Sequence, residues 1–174
     1  MIQQSFIISL IGMSGSGKTY WSKKMAGKGF KHICCDDLIS KELTLYSAKK
    51  NLKSIDKVAE WLGQPYKTNY AKKQFCYLAA EKKVMHEIIQ KLKAGVKGRW
   101  IIDTTGSVIY TGTQICRHLK KSGENNRQAL KRCYPQLLAY RRKLYQKYAD
   151  LTLDYHALRQ NKFTVDNFIK YVIS

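Results

Sequence analysis

The stretch that decides the fold is Gly12-Met13-Ser14-Gly15-Ser16-Gly17-Lys18-Thr19. It fits the pattern G-x-x-x-x-G-K-[ST] at every fixed position. The apolar run Ser5–Ile11 precedes it and predicts a buried strand. The residues from Lys18 to about Lys28 are predicted to form the first helix. Because a glycine-rich loop between a strand and a helix is the context in which this pattern binds phosphate, we interpret residues 12–19 as a P-loop.

The chemistry of a P-loop explains the spacing of these residues. Glycines allow backbone N–H groups to turn inward around an anion, and the positive end of the following helix points at the same anion. Lys18 is expected to reach the β- and γ-phosphates of ATP, and the Thr19 hydroxyl to be a ligand of Mg²⁺. The residues expected to bind the nucleotide are Gly12, Ser14, Gly15, Ser16, Gly17, Lys18 and Thr19.

Strands and helices alternate along the rest of the chain. Further strands are predicted at Phe30–Cys35, Trp100–Ile102 and Leu151–Asp154. Asp36 is predicted to cap a helix that runs to about Tyr46. The other predicted helices are Ala48–Leu62, about Thr68–Lys93, Thr113–Lys121, Gln128–Tyr148 with a potential break at Pro135, and Val165–Val172. This alternation predicts a three-layer α/β fold of the P-loop type with a short parallel sheet.

Length and composition favour a single domain over residues 1–174. The chain is 44% apolar, which excludes a disordered chain. No export signal is recognisable, and no stretch approaches the roughly 18 apolar residues of a membrane span. We therefore expect a cytoplasmic protein, and a monomer. The five cysteines are expected to be reduced and to serve as small apolar residues.

The balance of charge restricts the partners. The chain has 32 lysines and arginines against 12 acids, a formal net charge of +20. A field of this size attracts anions, which include nucleotides, phosphorylated metabolites, nucleic acid and anionic membrane surfaces.

Two acidic positions follow predicted strands and are candidates for catalysis. Asp103 ends the apolar run Arg99–Ile102 and is assigned to magnesium, mainly through water. Asp36 lies beside Asp37 after the strand Phe30–Cys35. We expect Asp36 to orient, and to deprotonate, the hydroxyl that accepts the phosphoryl group.

Four segments, in the same order, resemble the shikimate kinase-like group of small P-loop kinases. They are residues 12–19, Gly29–Ile39, Ile102–Ser107 and Arg141–Asp150, and together the resemblance covers about residues 5–155. It implies ATP- and Mg²⁺-dependent phosphoryl transfer to a small hydroxylated molecule. It also implies that Thr105, Gly106 and Ser107 form the substrate-binding turn and that Arg141 grips a substrate carboxylate.

The chain departs from that family on the acceptor side. Cys34 replaces the first acid of the family's D-T-D motif, and Leu78 stands where a second substrate arginine belongs. Leucine cannot replace a bidentate arginine contact to a carboxylate, so an acceptor other than shikimate is expected. No apolar strand is evident between Lys121 and Asp150, where the family has a central strand and a lid. Either Leu151–Asp154 completes the sheet beside the first strand, or the chain is a shortened relative.

Three functions remain open at this stage. The first is a small-molecule kinase. The second is a nucleoside or polynucleotide 5′-hydroxyl kinase, which the net charge would favour. The third is a nucleotide-binding module with weak catalysis, which the altered lid region would favour.

Overall fold

The sheet consists of three parallel strands in the part of the chain that the structure describes. The structure is a computed structural model, and it describes residues 6–46, 51–64, 67–107, 125–160 and 162–173. The strands are β1 (Phe6–Leu10), β2 (Lys31–Cys34) and β3 (Arg99–Asp103). Their order is β1-β3-β2, so the last strand in the sequence lies between the first two. The expectation of an α/β fold with a short parallel sheet is confirmed.

Helices connect and cover the strands. Within the described ranges they are α1 (Lys18–Ala26), α2 (Cys35–Tyr46), α3 (Ile55–Leu62), α4 (Tyr70–Lys93), α5 (Asn126–Tyr148), α6 (Tyr155–Leu158) and α7 (Val165–Ile173). A search of these described helices finds none with the length and apolar character that crossing a membrane requires.

Two apolar clusters cover the two faces of the sheet. Side chains of β3 alternate between them, as the pleat of a strand requires. Trp100 and Ile102 pack with α2, α3 and α4, whereas Ile101 packs with α1 and α7. The sheet is therefore the middle layer of three, and β3 is buried on both sides.

The second cluster is centred on aromatic rings from distant parts of the chain. Trp21 of α1 is stacked on Phe168 of α7 with ring centroids 5.0 Å apart, and the edge of Phe163 meets Trp21 at 5.5 Å. Phe168 is 1% exposed. Burial of a side chain of this size contributes about 1.5–3 kcal/mol, so the contact with Phe168 helps to fix α1 against α7.

The prediction of a strand at Leu151–Asp154 is wrong. Asp154 instead caps α6, and its Oδ1 accepts a hydrogen bond from the backbone N–H of Ala157 at 2.8 Å. Leu153 packs against the second cluster, which contains Trp21 and Phe168. The apolar character of this segment is thus explained by side-chain packing rather than by strand pairing, and the segment does not extend the sheet beside β1.

Several helix boundaries also differ from the prediction. Helix α3 begins at Ile55 rather than at Ala48, because the Ser54 side chain caps it by accepting from the backbone N–H of Lys57. Asp36 is not a cap: α2 begins one residue earlier, at Cys35, which places Asp36 in its first turn. Helix α5 continues through Pro135 without a break. The helix predicted at Thr113–Lys121 lies outside the described residues.

Replacing Phe168 should test the contribution of α7. We expect Phe168→Ala to lower the free energy of unfolding by about 3–5 kcal/mol, because it leaves a cavity beside Trp21. Ile173→Ala is the control in the same helix, since Ile173 is 51% exposed and should change stability by less than about 0.5 kcal/mol. Urea unfolding followed by circular dichroism measures both. Equal effects would mean that α7 does not depend on this contact.

Candidate active site

Three segments, two loops and the start of a helix, lie at the carboxyl edge of the sheet. Residues 11–17 follow β1, α2 follows β2 directly, and residues 104–107 follow β3. In open parallel sheets, ligands bind in the crevice at this edge. The three predicted catalytic residues lie at this edge: Lys18 begins α1 directly after residues 11–17, Asp36 lies in the first turn of α2, and Asp103 is the last residue of β3.

The backbone of residues 12–17 needs glycine at its turning points. Gly12, Gly15 and Gly17 have φ angles of 155°, 79° and 93°, which other residues rarely adopt. The segment is tight, because a Cβ atom on Gly12 would lie 2.9 Å from the Ser16 Oγ. At positions 12, 15 and 17 the loop thus has backbone angles that glycine adopts readily and other residues do not.

The N-terminus of α1 faces this loop, and no acidic side chain in its first turn would compete with a bound anion. Its cap is Gly17, which offers no side-chain hydrogen bond, and the first turn contains no acidic residue. Ser14, Gly15 and Thr19 are exposed. The first N–H groups of a helix have no partner inside the helix, so this end can receive an external anion.

The Lys18 amino group lies across the loop. Its Nζ donates to the carbonyl oxygens of Gly12, at 2.9 Å, and Met13, at 3.0 Å. Burial lowers the pKa of Lys18, while the negative charges of Asp103 and Asp36 oppose that change. Lys18 is therefore a cation placed between the loop and the two carboxylates.

Asp103 supplies a buried carboxylate oxygen that lacks a partner. The residue is 3% exposed, and among the described residues its Oδ2 accepts no hydrogen bond. A buried polar atom without a partner costs free energy, so this oxygen fits a hydrated cation. No group of three or more His, Cys, Asp or Glu side chains in the described ranges could hold a metal ion by itself. A magnesium ion here would need phosphate oxygens and water as further ligands, as Mg²⁺ usually does.

Asp36 has an unusual environment for a carboxyl group. Burial, and then the charge of Asp103, raise its pKa from 3.8 to about 6, and Lys18 acts in the opposite direction. Its neighbour Asp37 is exposed. The two adjacent acids are thus distinguished by structure: Asp36 is coupled to Lys18 and Asp103, while Asp37 lies towards solvent.

The turn after β3 packs directly on the glycine loop at residues 12–17. The Thr104 Oγ1 donates to the carbonyl oxygen of Leu10 at 2.7 Å, which ties the ends of β3 and β1 together. A Cβ atom on Gly106 would come within 3.1 Å of the Ser14 nitrogen. Glycine at position 106 therefore favours close contact between the predicted substrate turn and the predicted nucleotide loop, because a side chain there would press on the loop backbone.

Glu81 of α4 organises the same turn, although it was not among the residues predicted for the site. It is 6% exposed and accepts hydrogen bonds from the hydroxyls of Thr105 and Ser107, the latter at 2.6 Å. The signal in the sequence is its position, because Glu81 lies on the stripe of α4 that also contains Val84 and Ile88. An acid on the apolar face of a helix requires a polar partner.

Two tyrosines and Arg141 complete this side of the site. The Tyr145 hydroxyl of α5 donates to the Gly106 carbonyl oxygen at 2.6 Å. Arg141 is partly buried one turn earlier on α5, and burial lowers its pKa while Tyr145 and Tyr70 act to raise it. Burial raises the pKa of Tyr77, a residue of α4 that is hydrogen-bonded to Ser107. The predicted substrate residues Thr105, Gly106, Ser107 and Arg141 are thus linked through Glu81 and Tyr145.

Cys34 and Cys35 contribute neutral groups. Burial raises the pKa of Cys34 to about 11 and that of Cys35 to about 12, so both thiols stay protonated at neutral pH. Cys34 pairs in register with Asp103 on the neighbouring strand. Cys34 therefore places a protonated thiol beside Asp103. The shikimate kinase-like proteins that the sequence resembles have an acid at this position.

A further open cavity of about 490 Å³ lies away from these loops. It is formed by α7 and the segment before it, and the residues that line it are Gln160, Lys162, Phe163, Asn167, Lys170 and Tyr171. None of them belongs to the three connections at the carboxyl edge, so the cavity does not define the candidate active site.

Comparison with protein-family models and with curated protein sequences finds no match. The resemblance to shikimate kinase-like proteins therefore stays a prediction that rests on the motifs and their order.

Asp36→Asn should stabilise the protein in a pH-dependent way. The pKa of Asp36 is above its unfolded value of 3.8, so ionisation costs the folded state free energy as the pH rises from about 4 to about 6. For this partly exposed group we expect a gain of about 1–2 kcal/mol at pH 7, after allowance for solvent screening. The gain should disappear towards pH 4.

Urea unfolding at pH 4 and pH 7 measures this difference, with Asp37→Asn as the matched control at the exposed neighbour. A gain that is independent of pH, or is equal in the two variants, would contradict the environment described for Asp36.

Proposed function

We propose that this protein binds ATP with magnesium and transfers the γ-phosphoryl group to the hydroxyl of a small molecule other than shikimate. The observation that carries the proposal is the meeting of the glycine loop, Asp36 and Asp103 around Lys18 at the carboxyl edge of a parallel sheet. A three-layer P-loop kinase fold is part of the same proposal.

The donor side follows from the loop and from α1. The backbone N–H groups of residues 14–19 and the Lys18 amine would surround the phosphates of ATP. Thr19 and the unpartnered oxygen of Asp103 are the groups that would hold Mg²⁺. The ion would neutralise charge on the β- and γ-phosphates.

The acceptor side follows from Asp36 and the turn at residues 105–107. The acceptor hydroxyl would donate its proton to the Asp36 carboxylate as its oxygen forms a bond to the γ-phosphorus. The bond from that phosphorus to the β,γ-bridging oxygen breaks, and ADP carries away the electron pair. Lys18 stabilises the charge on the oxygens during transfer. Ser107 and Arg141 are the residues that we expect to orient the acceptor.

The raised pKa of Asp36 supports this role. A general base works best when its pKa lies near the working pH, and about 6 is closer to neutrality than the usual value for a carboxyl group. The charge of Asp103 contributes to this increase, so the proposed metal side and the proposed base are electrostatically coupled.

Lys18→Ala should weaken nucleotide binding. We expect the Kd for ATP with magnesium to increase at least tenfold, because a cation beside the phosphates is lost. Isothermal titration calorimetry measures the affinity, and Lys23→Ala on the exposed side of α1 removes the same charge away from the loop. The proposed phosphate site would be wrong if the two variants bound ATP equally well.

Phosphoryl transfer should depend on Asp36 and on pH. In a screen of hydroxylated metabolites with labelled ATP, we expect one class to be phosphorylated by the wild-type protein. With that acceptor, kcat/KM should fall on acidification with a midpoint near pH 6, because Asp36 must be ionised to accept a proton. Asp36→Asn should reduce kcat by about 10²–10⁴ and leave ATP affinity unchanged.

Asp37→Asn is the matched control and should retain activity. ATP binding without transfer to any acceptor would refute the kinase assignment and leave a nucleotide-binding module. Transfer that persists in Asp36→Asn would refute the role of this base.

A further inference from the structure

The outward side of α5 is a strongly basic helix surface that the proposed reaction does not use. Residues 126–148 contain seven lysines and arginines and no acid. Among the side chains of α5 that the structure describes, the exposed cations are Lys131, Arg142, Lys143 and Lys147. We call these four residues and the exposed Tyr140 and Tyr148 the α5 outer face.

Five of the six members of the α5 outer face, the four cations and Tyr140, lie along one side of the helix. Tyr148, in the last turn, lies at the angular position of Leu137 and Leu144 but is exposed. At 3.6 residues per turn the four cations fall within an arc of about 160°. Leu137, Leu144 and Tyr145 are partly buried on the opposite side. From Lys131 to Lys147 the cations span about 24 Å along the axis, at about 1.5 Å per residue. Because α5 contains no carboxylate, this charge is not neutralised within the helix.

Aromatic rings are interleaved with the cations. Tyr140 lies one turn before Lys143, and Tyr148 lies next to Lys147. Tyr140 is 36% exposed and Tyr148 is 59% exposed. The Lys147 Nζ lies 5.4 Å from the centroid of the Tyr148 ring. The surface therefore offers two exposed rings among its positive charges.

We propose that the α5 outer face binds single-stranded nucleic acid. Cations that follow a phosphate backbone, together with exposed aromatic rings on which bases stack, are the elements of binding to unpaired strands. The exposed positions of α5 also include Gln128, Gln136 and Gln146, whose amides can form hydrogen bonds to bases or sugars.

The composition of the same face argues against a membrane surface and against a duplex. A helix that lies in a membrane interface exposes large apolar side chains, whereas the described exposed positions of α5 contain no Leu, Ile, Val, Phe or Trp. In a duplex the base faces are already stacked on one another, so Tyr140 and Tyr148 would gain no stacking partner. A single strand, with its phosphates and unpaired bases, is the ligand that would contact both the cations and the tyrosines.

The surface and the candidate active site belong to opposite sides of one helix. Tyr145 donates to Gly106 from the inward side of α5, so a strand on the outer face lies about one helix diameter, roughly 10 Å, from the acceptor turn. Binding at this face is independent of phosphoryl transfer, because it requires neither ATP nor Asp36. It can therefore be measured without nucleotide.

Charge-matched variants test the proposal. The first variant replaces Lys131, Arg142, Lys143 and Lys147 by Gln. The control replaces four exposed lysines of other segments, Lys41, Lys53, Lys72 and Lys82, by Gln and so has the same net charge. Both should keep the wild-type circular dichroism and urea midpoint, because all eight positions are exposed.

Fluorescence anisotropy with a labelled 20-nucleotide single strand measures binding across a series of salt concentrations. We expect the α5 variant to lose at least thirtyfold in affinity and the control to lose less than threefold. The slope of log K against log salt should become less negative by about 3 in the α5 variant, since about 0.7 ion is released for each phosphate contact on a single strand. A third variant, Tyr140→Ser with Tyr148→Ser, should weaken binding about tenfold without changing that slope.

Other results would overturn the proposal. Equal losses in the α5 variant and its control would mean that net charge alone attracts the strand. Tighter binding to a duplex of the same length would remove the role of the tyrosines. Binding to vesicles that contain phosphatidylserine, in the absence of binding to the oligonucleotide, would assign the face to a membrane.

Discussion

The mutual placement of Lys18, Asp36 and Asp103 is the constraint on which the rest of the site depends. The amine is partly buried, which lowers its pKa, and the two carboxylates act in the opposite direction. Removing Lys18 would leave two carboxylates with uncompensated charge in a poorly solvated place, whereas removing Asp36 leaves Lys18 and Asp103 as a balanced pair. The parallel sheet makes the arrangement available, because its carboxyl ends bring together residues that are far apart in the sequence.

The segments that hold these charges are joined by hydrogen bonds. Thr104 ties the end of β3 to the end of β1, and Glu81 holds the hydroxyls of Thr105 and Ser107. Tyr145 adds α5 to the same turn. Each contact crosses between elements, so the position of the predicted substrate residues is set by two helices and two strands rather than by the turn alone.

The parts of the fold that could be predicted from the sequence are those with strong local signals. The glycine loop, the strand that ends in Asp103 and the long helix α4 are local patterns, and each was found within a few residues of its predicted limits. The error at Leu151–Asp154 arose because a short apolar run does not distinguish strand pairing from packing against a neighbouring layer. Leu153 packs against the neighbouring layer and does not pair with a strand.

The candidate site likewise contains residues with a local signal in the sequence and residues without one. Lys18, Asp36 and Asp103 could be predicted because each follows a recognisable strand, whereas Glu81 and Tyr145 act through contacts across 24 to 39 residues of sequence. Such contacts leave almost no local trace. The pKa of Asp36 is likewise a product of tertiary structure, since burial and Asp103 cause it.

The close approach of Gly106 to Ser14 has a thermodynamic consequence. The turn beside the acceptor residues and the loop around the phosphates touch through backbone atoms, with no side chain between them to absorb a displacement. If a ligand on one side changes the position of its segment, the other segment must adjust, and the free energy of that adjustment is shared. By linkage, each ligand then alters the affinity for its counterpart by the same factor. Cooperativity between the two halves of the cleft would thus be a property of one glycine contact.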